Sequence, residues 1–122
     1  MSSRIPATHI RLKRAYDPPA KDDGTRILVD RLWPRGLKKE KAALDQWLKD
    51  IAPSDELRRW FNHEPARWSA FQHRYASELE KQSDLINNLR QLARQETITL
   101  VYAARDTEHN DAVVLRQILL GH

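Results

Sequence analysis

From Ala66 to Leu120 the chain contains neither glycine nor proline, the two residues that most readily interrupt regular structure. Within that stretch the apolar pattern changes character twice. Trp68, Phe71, Tyr75 and Leu79 recur at spacings of three and four after Pro65, which predicts an amphipathic helix. Ser83 and Asp84 form a cap signal before Leu85, Ile86, Leu89 and Leu92, so the region divides into two helices. Thr97 to Tyr102 (TITLVY) is apolar and β-branched and reads as a strand. Asn110 and Asp111 then precede Ala112, Val113, Val114, Leu115, Ile118 and Leu119, a final helix packed through one face.

The first part of the chain has shorter elements. His9 to Arg14 alternates apolar and polar residues, a strand signal, and Asp17 to Gly24 (DPPAKDDG) reads as an exposed loop. Arg26 to Asp30 is a more buried strand that must stop by Pro34, and Gly36 frees the chain to turn before Lys38-Lys39-Glu40-Lys41, a solvated turn. Leu44, Trp47, Leu48 and Ile51 fit one face of a helix, but the same residues also suit a short strand. Ser54 followed by Asp55 and Glu56 caps a helix running through Leu57 and Phe61. Strands alternating with helices predict an α/β class with a largely parallel sheet flanked by helices, with α+β as the alternative. A length of 122 residues accommodates one domain, residues 1–122.

The absence of cysteine excludes disulfides, thiolate metal sites, iron–sulfur clusters and cysteine nucleophiles, and places the chain in the cytoplasm by default. No apolar run approaches a membrane span, and the segment from Met1 to Pro6 lacks the hydrophobic stretch of a secretory signal. Glycines at 24, 36 and 121 cannot make a GxGxxG or GxxxxGK[ST] phosphate loop, and the scattered histidines offer no metal-ligand spacing. The sequence names no cofactor. Residues 1–50 hold 12 basic and 7 acidic side chains, against 9 and 10 in residues 51–122, so the basic excess falls in the first part and makes an anionic partner there worth testing.

Ligands of parallel α/β sheets bind beyond the carboxyl ends of strands. That rule selects Asp30, Arg31, Trp33 and Arg35 after one strand, Tyr16 and Asp17 after another, and Arg105, Asp106 and Asn110 after the last. In the functional reading Arg31, Arg35 and Arg105 hold an anion, Trp33 supplies a stacking wall, and Asp17 and Asp30, with Asp106, are the candidate general acid or base groups. Free N–H groups at the start of the final helix would add to the anion site. The structural reading makes the same residues a buried Arg–Asp network, with Asp17 a turn residue, Asn110 a helix cap and Tyr16 half-buried core. Trp60, Trp68, Phe71 and Tyr75 read as core.

Arg14-Ala15-Tyr16-Asp17, the run from Asp23 to Gly36 containing DRLWPRG, Asp45-Gln46-Trp47 with Ala52-Pro53-Ser54, Trp60 to His63 with Trp68, and Leu100 to Asp106 with Asn110 closely resemble the YeaO-like branch of domain of unknown function family 488. The resemblance covers nearly the whole chain. It implies a small Rossmann-like α/β domain and a strand at residues 44–50, and it assigns no reaction. Relatives carry cysteines near the last strand that this chain lacks, so thiol or metal chemistry does not transfer, and Ala15 stands where the branch usually has a β-branched residue. Because the matching motifs are polar strand ends, the resemblance favours a functional role for Asp30 to Arg35. The leading expectation is a cleft that binds a phosphate-bearing small molecule or nucleotide, with or without turnover. The alternatives are a nucleic-acid-binding or regulatory module, for which no helix-turn-helix is evident, and a structural or partner-binding domain.

Overall fold

The structure, a computed structural model, describes residues 4–121. Met1 to Ser3, the start of the segment read for a signal, lie outside the described residues, as does His122. Four strands form one sheet: β1 (Ile10–Arg14), β2 (Thr25–Leu28), β3 (Gln46–Trp47) and β4 (Ile98–Tyr102). Their order is β1-β4-β2-β3, and every pairing is parallel. The helices are α1 (Lys39–Ala42), α2 (Asp55–Phe61), α3 (Trp68–Glu80), α4 (Ser83–Gln95) and α5 (Asp111–Leu119). The mixed α/β class with an all-parallel sheet is that of a small Rossmann-like domain. No helix among the described residues is long and apolar enough to cross a membrane.

Alternation along the strands sorts residues to two unlike faces. Ile10, Ile27, Val29, Ile98, Leu100 and Tyr102 join the main core with Phe71, Tyr75 and Leu79 of α3, Ile86 and Leu89 of α4, and Leu115 and Leu119 of α5. The opposite face has a smaller apolar cluster, Ala15, Leu28 and Val101, covered by Trp33, Leu37, Leu44 and Trp47. Beside it the register aligns Arg11, Thr99 and Arg26 in one row across three strands. That row is polar, and Asp23 neutralises it: its buried carboxylate accepts from Arg26 Nη1 at 2.7 Å and from Lys13 Nζ at 3.1 Å, while Thr99 Oγ1 donates to the Asp23 carbonyl at 2.6 Å. The remaining Arg26 donors reach the carbonyls of Ala42 and Ala43.

Several boundaries differ from the sequence reading for identifiable reasons. His9 lies in a 3₁₀ turn, where its ring bonds to the Ala93 carbonyl, and the first strand begins at Ile10. β2 begins at Thr25 and ends at Leu28, although Val29 N still donates to Val101 O. Residues 44–51 are neither a helix nor a long strand; two residues pair with β2 and a 3₁₀ turn, Lys49–Ile51, follows. The solvated turn at Lys38 is the start of the one-turn helix α1, which buries only Ala42. Ser54 caps α2 by accepting from Leu57 N, as its position implies. Ser83 is no cap: it is the first residue of α4, and Gln82 precedes it without a side-chain cap bond.

Candidate functional site

The carboxyl ends of β1, β2 and β4 open into a cleft of about 1020 Å³. Tyr16, Asp30, Arg31, Trp33, Arg35, Arg105, Asp106 and Asn110, all selected from the sequence, line it. Asp17 does not. It is an exposed turn residue whose Oδ2 accepts from Arg14 N at 3.3 Å.

Each wall is held by polar contacts that leave part of the side-chain set uncommitted. Arg14 donates to the carbonyls of Ala103 and Ala104 and so fastens β1 to the loop after β4. Ala103 N donates to Asp30 Oδ2 at 2.8 Å and joins the ends of β2 and β4. Arg31 donates to Pro53 O at 3.2 Å and Ala52 O at 3.3 Å and pins the opposite wall. That wall is braced from behind, because the buried Tyr75 hydroxyl donates to Ile51 O and Ser54 donates twice to Glu78 of α3. Trp33 packs edge-on against Trp47, ring centroids 5.5 Å apart, and its N–H is spent on Leu37 O. Its principal contacts therefore close the 30–37 loop. Tyr16 is exposed instead of half-buried, and its hydroxyl donates to Arg35 O at 2.8 Å across the mouth.

The end of the cleft at α5 departs most from expectation. Asn110 Oδ1 accepts from Val113 N and Asp111 Oδ1 from Ala112 N, so two of the first N–H groups of the helix, expected to be free for an anion, are taken by its own side chains. Asp106 accepts from Glu108 N, His109 N and His109 Nδ1, which hold its carboxyl below the usual carboxylate range and commit it to shaping the loop. Asp30 does not pair with an arginine. Its carboxyl neighbours that of Asp111 instead, and the buried Arg–Asp pair among the described residues is Asp23–Arg26, on the second face of the sheet. Burial raises the pKa of Asp30, opposed by the bonds from Asp111 and Ala103. Burial together with the neighbouring Asp30 pushes Asp111 well above its ordinary value. Two carboxyls placed together in this way cannot both ionise at low cost.

The sequence reading missed Asp111, Arg58, Arg59, His63 and His109, which also line the cleft. Asp111 was visible only as a helix-start acid. Arg58 and Arg59 come from α2, so the cationic lining draws on both halves of the chain and not on the basic first part alone. Arg58 pairs with Asp55 at 3.4 Å, while Arg35, Arg59 and Arg105 are exposed with no carboxylate at ion-pair distance among the described residues. Phe61 and Phe71, stacked with centroids 4.4 Å apart, back the apolar side as buried core residues, 6% and 2% exposed.

Fold and site together define a small all-parallel α/β domain with a polar, arginine-lined cleft at its strand ends. The chain belongs to the family described as the inactive DUF488-N3 subclade, whose model matches residues 9–122. It is 46% identical over 107 residues to the uncharacterized protein YeaO of Escherichia coli, covering 88% of this chain and 93% of that one. It is 42% identical over 114 residues to the uncharacterized proteins Mb3100c of Mycobacterium bovis and Rv3073c of Mycobacterium tuberculosis, covering 93% of this chain and 96% of each relative. No solved structure matches the chain.

Proposed function

We propose that this protein binds a phosphate-bearing small molecule, a nucleotide, in the cleft at the strand ends, with the guanidinium groups of Arg35, Arg59 and Arg105 taking the phosphate. The observation that carries the reading is that these three exposed arginines line one concave site without carboxylate partners among the described residues, so their forked donors are available to an anion. Arg31 serves the wall through its two carbonyl bonds. The description of the subclade as inactive supports binding without turnover, and Asp30 then acts as a recognition group.

Titration with ribose 5-phosphate and nucleoside monophosphates tests this reading. Arg35→Ala and Arg105→Ala should each weaken binding about tenfold or more, with unfolding free energies from urea titration changed by no more than ~0.5 kcal/mol, the usual range for surface positions. Failure of every phosphate compound to bind the parent would overturn the proposal. So would tight duplex binding whose log affinity falls by about 0.9 per contacted phosphate with log salt, the signature of a nucleic-acid module.

A further inference from the structure

The turn after β4 sets an imidazole on the cleft wall with its two nitrogens in different states. Asp106 Oδ1 accepts from Glu108 N at 2.9 Å and from His109 N at 3.0 Å, so one carboxyl oxygen closes the turn. The other, Oδ2, lies 2.9 Å from His109 Nδ1. An ionised carboxylate only accepts, so Nδ1 carries the proton and Nε2 is turned away from Asp106. Trp68 packs edge-on to the ring from α3, centroids 5.1 Å apart. Nε2 has no hydrogen-bond partner among the described residues, and no unpartnered side-chain nitrogen or oxygen among them is buried, so Nε2 is open to water. The side chains of His109 and Asp106 are 31% and 40% exposed, and both residues line the cavity that Arg35, Arg59 and Arg105 line. His63, the other imidazole of that lining, has no carboxylate at ion-pair distance among the described residues.

We propose, resting on the phosphate reading above, that His109 is a further phosphate ligand, its Nε2–H donating to a phosphate oxygen while Asp106 holds Nδ1, so that the ligand and one proton enter the cleft together. A carboxylate on one side of the ring and a phosphate dianion on the other both favour the imidazolium, in a chain of charge-assisted bonds. The arginines take no part in this proton linkage, because a guanidinium stays charged throughout the neutral range. The other groups near the ring that can gain a proton are Glu108 of the same turn, Asp30 beyond β2, Asp111 of α5 and His63 after α2. Substitution of His109 separates its share from theirs.

Calorimetric titration of ribose 5-phosphate at pH 7.5, repeated in buffers of different ionisation enthalpy, counts the protons taken up on binding. The phosphate is a dianion there, its second pKa being about 6, so the protons go to the protein. The parent should take up about half a proton or more per ligand, and His109→Gln close to none, with affinity weakened about tenfold or more, as for a lost hydrogen bond to a charged group. Asp106→Asn should lower the uptake, and His63→Gln should leave it as in the parent. The nitrogen-15 spectrum of the parent's complex should show both His109 ring nitrogens protonated, a reading that needs no variant to fold. Binding by the parent without proton uptake, or uptake that survives in His109→Gln or is lost in His63→Gln, would overturn the inference and leave the phosphate reading standing. So would an unprotonated Nε2 in the complex, or full uptake in Asp106→Asn. Failure of ribose 5-phosphate to bind the parent would remove the phosphate reading and this inference together.

Discussion

The carboxyl of Asp30, just beyond β2, neighbours the carboxyl of Asp111, the first residue of α5, so sheet and helix meet through two acids that cannot both ionise at low cost. Both groups have pKa values raised above the ordinary 3.8, first by burial and, for Asp111, also by the facing Asp30. The folded protein therefore holds a proton that the unfolded chain releases once pH exceeds about 4. The stability associated with the pair is fully present below that pH and declines as pH rises towards the folded-state values.

Asp111→Asn keeps the size of the side chain and lets an amide donate to Asp30 without a proton. Its stability relative to the parent should rise as pH increases from about 4 towards the folded-state values. Asp23 and Asp106, whose shifts have the opposite sign, are common to both proteins and cancel in the difference. Urea midpoints measured across that range test this, and a gap independent of pH would show that the two acids ionise without hindering each other.

Removing the Asp23 carboxylate should be costly. Burial raises its pKa, but the Ala20 N–H, Lys13 and Arg26 together outweigh that effect and hold it low. Asp23→Ala leaves the Arg26 guanidinium, 4% exposed, without its counter-charge, and a loss of about 3–5 kcal/mol is expected. In the parent this contribution is present above pH 4 and lost as pH falls through the depressed value. A variant whose urea midpoint matches the parent's would contradict the buried pair.

Gly24 has φ +64°, and a Cβ there would lie 2.0 Å from the Thr97 carbonyl oxygen. That oxygen also accepts from Thr25 N, so it is fixed where β2 meets β4. Gly24→Ala combines left-handed strain with a backbone clash and should cost at least about 3 kcal/mol. A thermal midpoint within a degree or two of the parent's would mean that the backbone here can move aside.

Phe71 and Trp68 lie on the same helix and differ in burial. Phe71 is 2% exposed, and Phe71→Ala should cost ~3–5 kcal/mol. Trp68, read from the sequence as core, is half-buried and lies edge-on to His109 at 5.1 Å. Trp68→Ala should cost only about 2 kcal/mol because part of its surface is already in water. Equal losses in the two variants would place Trp68 in the core after all.

The elements that were legible in the sequence are those whose signal is local. The helices on either side of residue 82, the helix capped by Ser54 and the strand at 98–102 follow from periodicity and β-branched content. Asp30 and Arg105 could be placed together because parallel strands bring their carboxyl ends to one side. What was not legible depends on residues distant in sequence. Asp111 reads as an ordinary helix-start acid until Asp30 is set against it, and the arginines of α2 carry no motif. Asp17 sits next to Tyr16 in sequence, yet its carboxylate bonds back to Arg14 N and is not among the side chains that line the cleft. The two-residue strand at Gln46 depends on pairing with β2 and not on propensity.

The position of β4 has a consequence for how the chain acquires its shape during synthesis. The last strand made is the one that separates β1 from β2, and the Ile10 register partner is Ile98. Until that strand leaves the ribosome, the two earlier ones have no common neighbour, and β2 can pair only with the two residues of β3. The nascent amino-terminal half therefore carries apolar strands that wait for most of the polypeptide to be completed. Closing contacts so far apart in sequence is slow, and the open edges remain exposed to aggregation in the interval. A chain interrupted before residue 98 would lack the centre of its sheet and would be a target for chaperones and proteases.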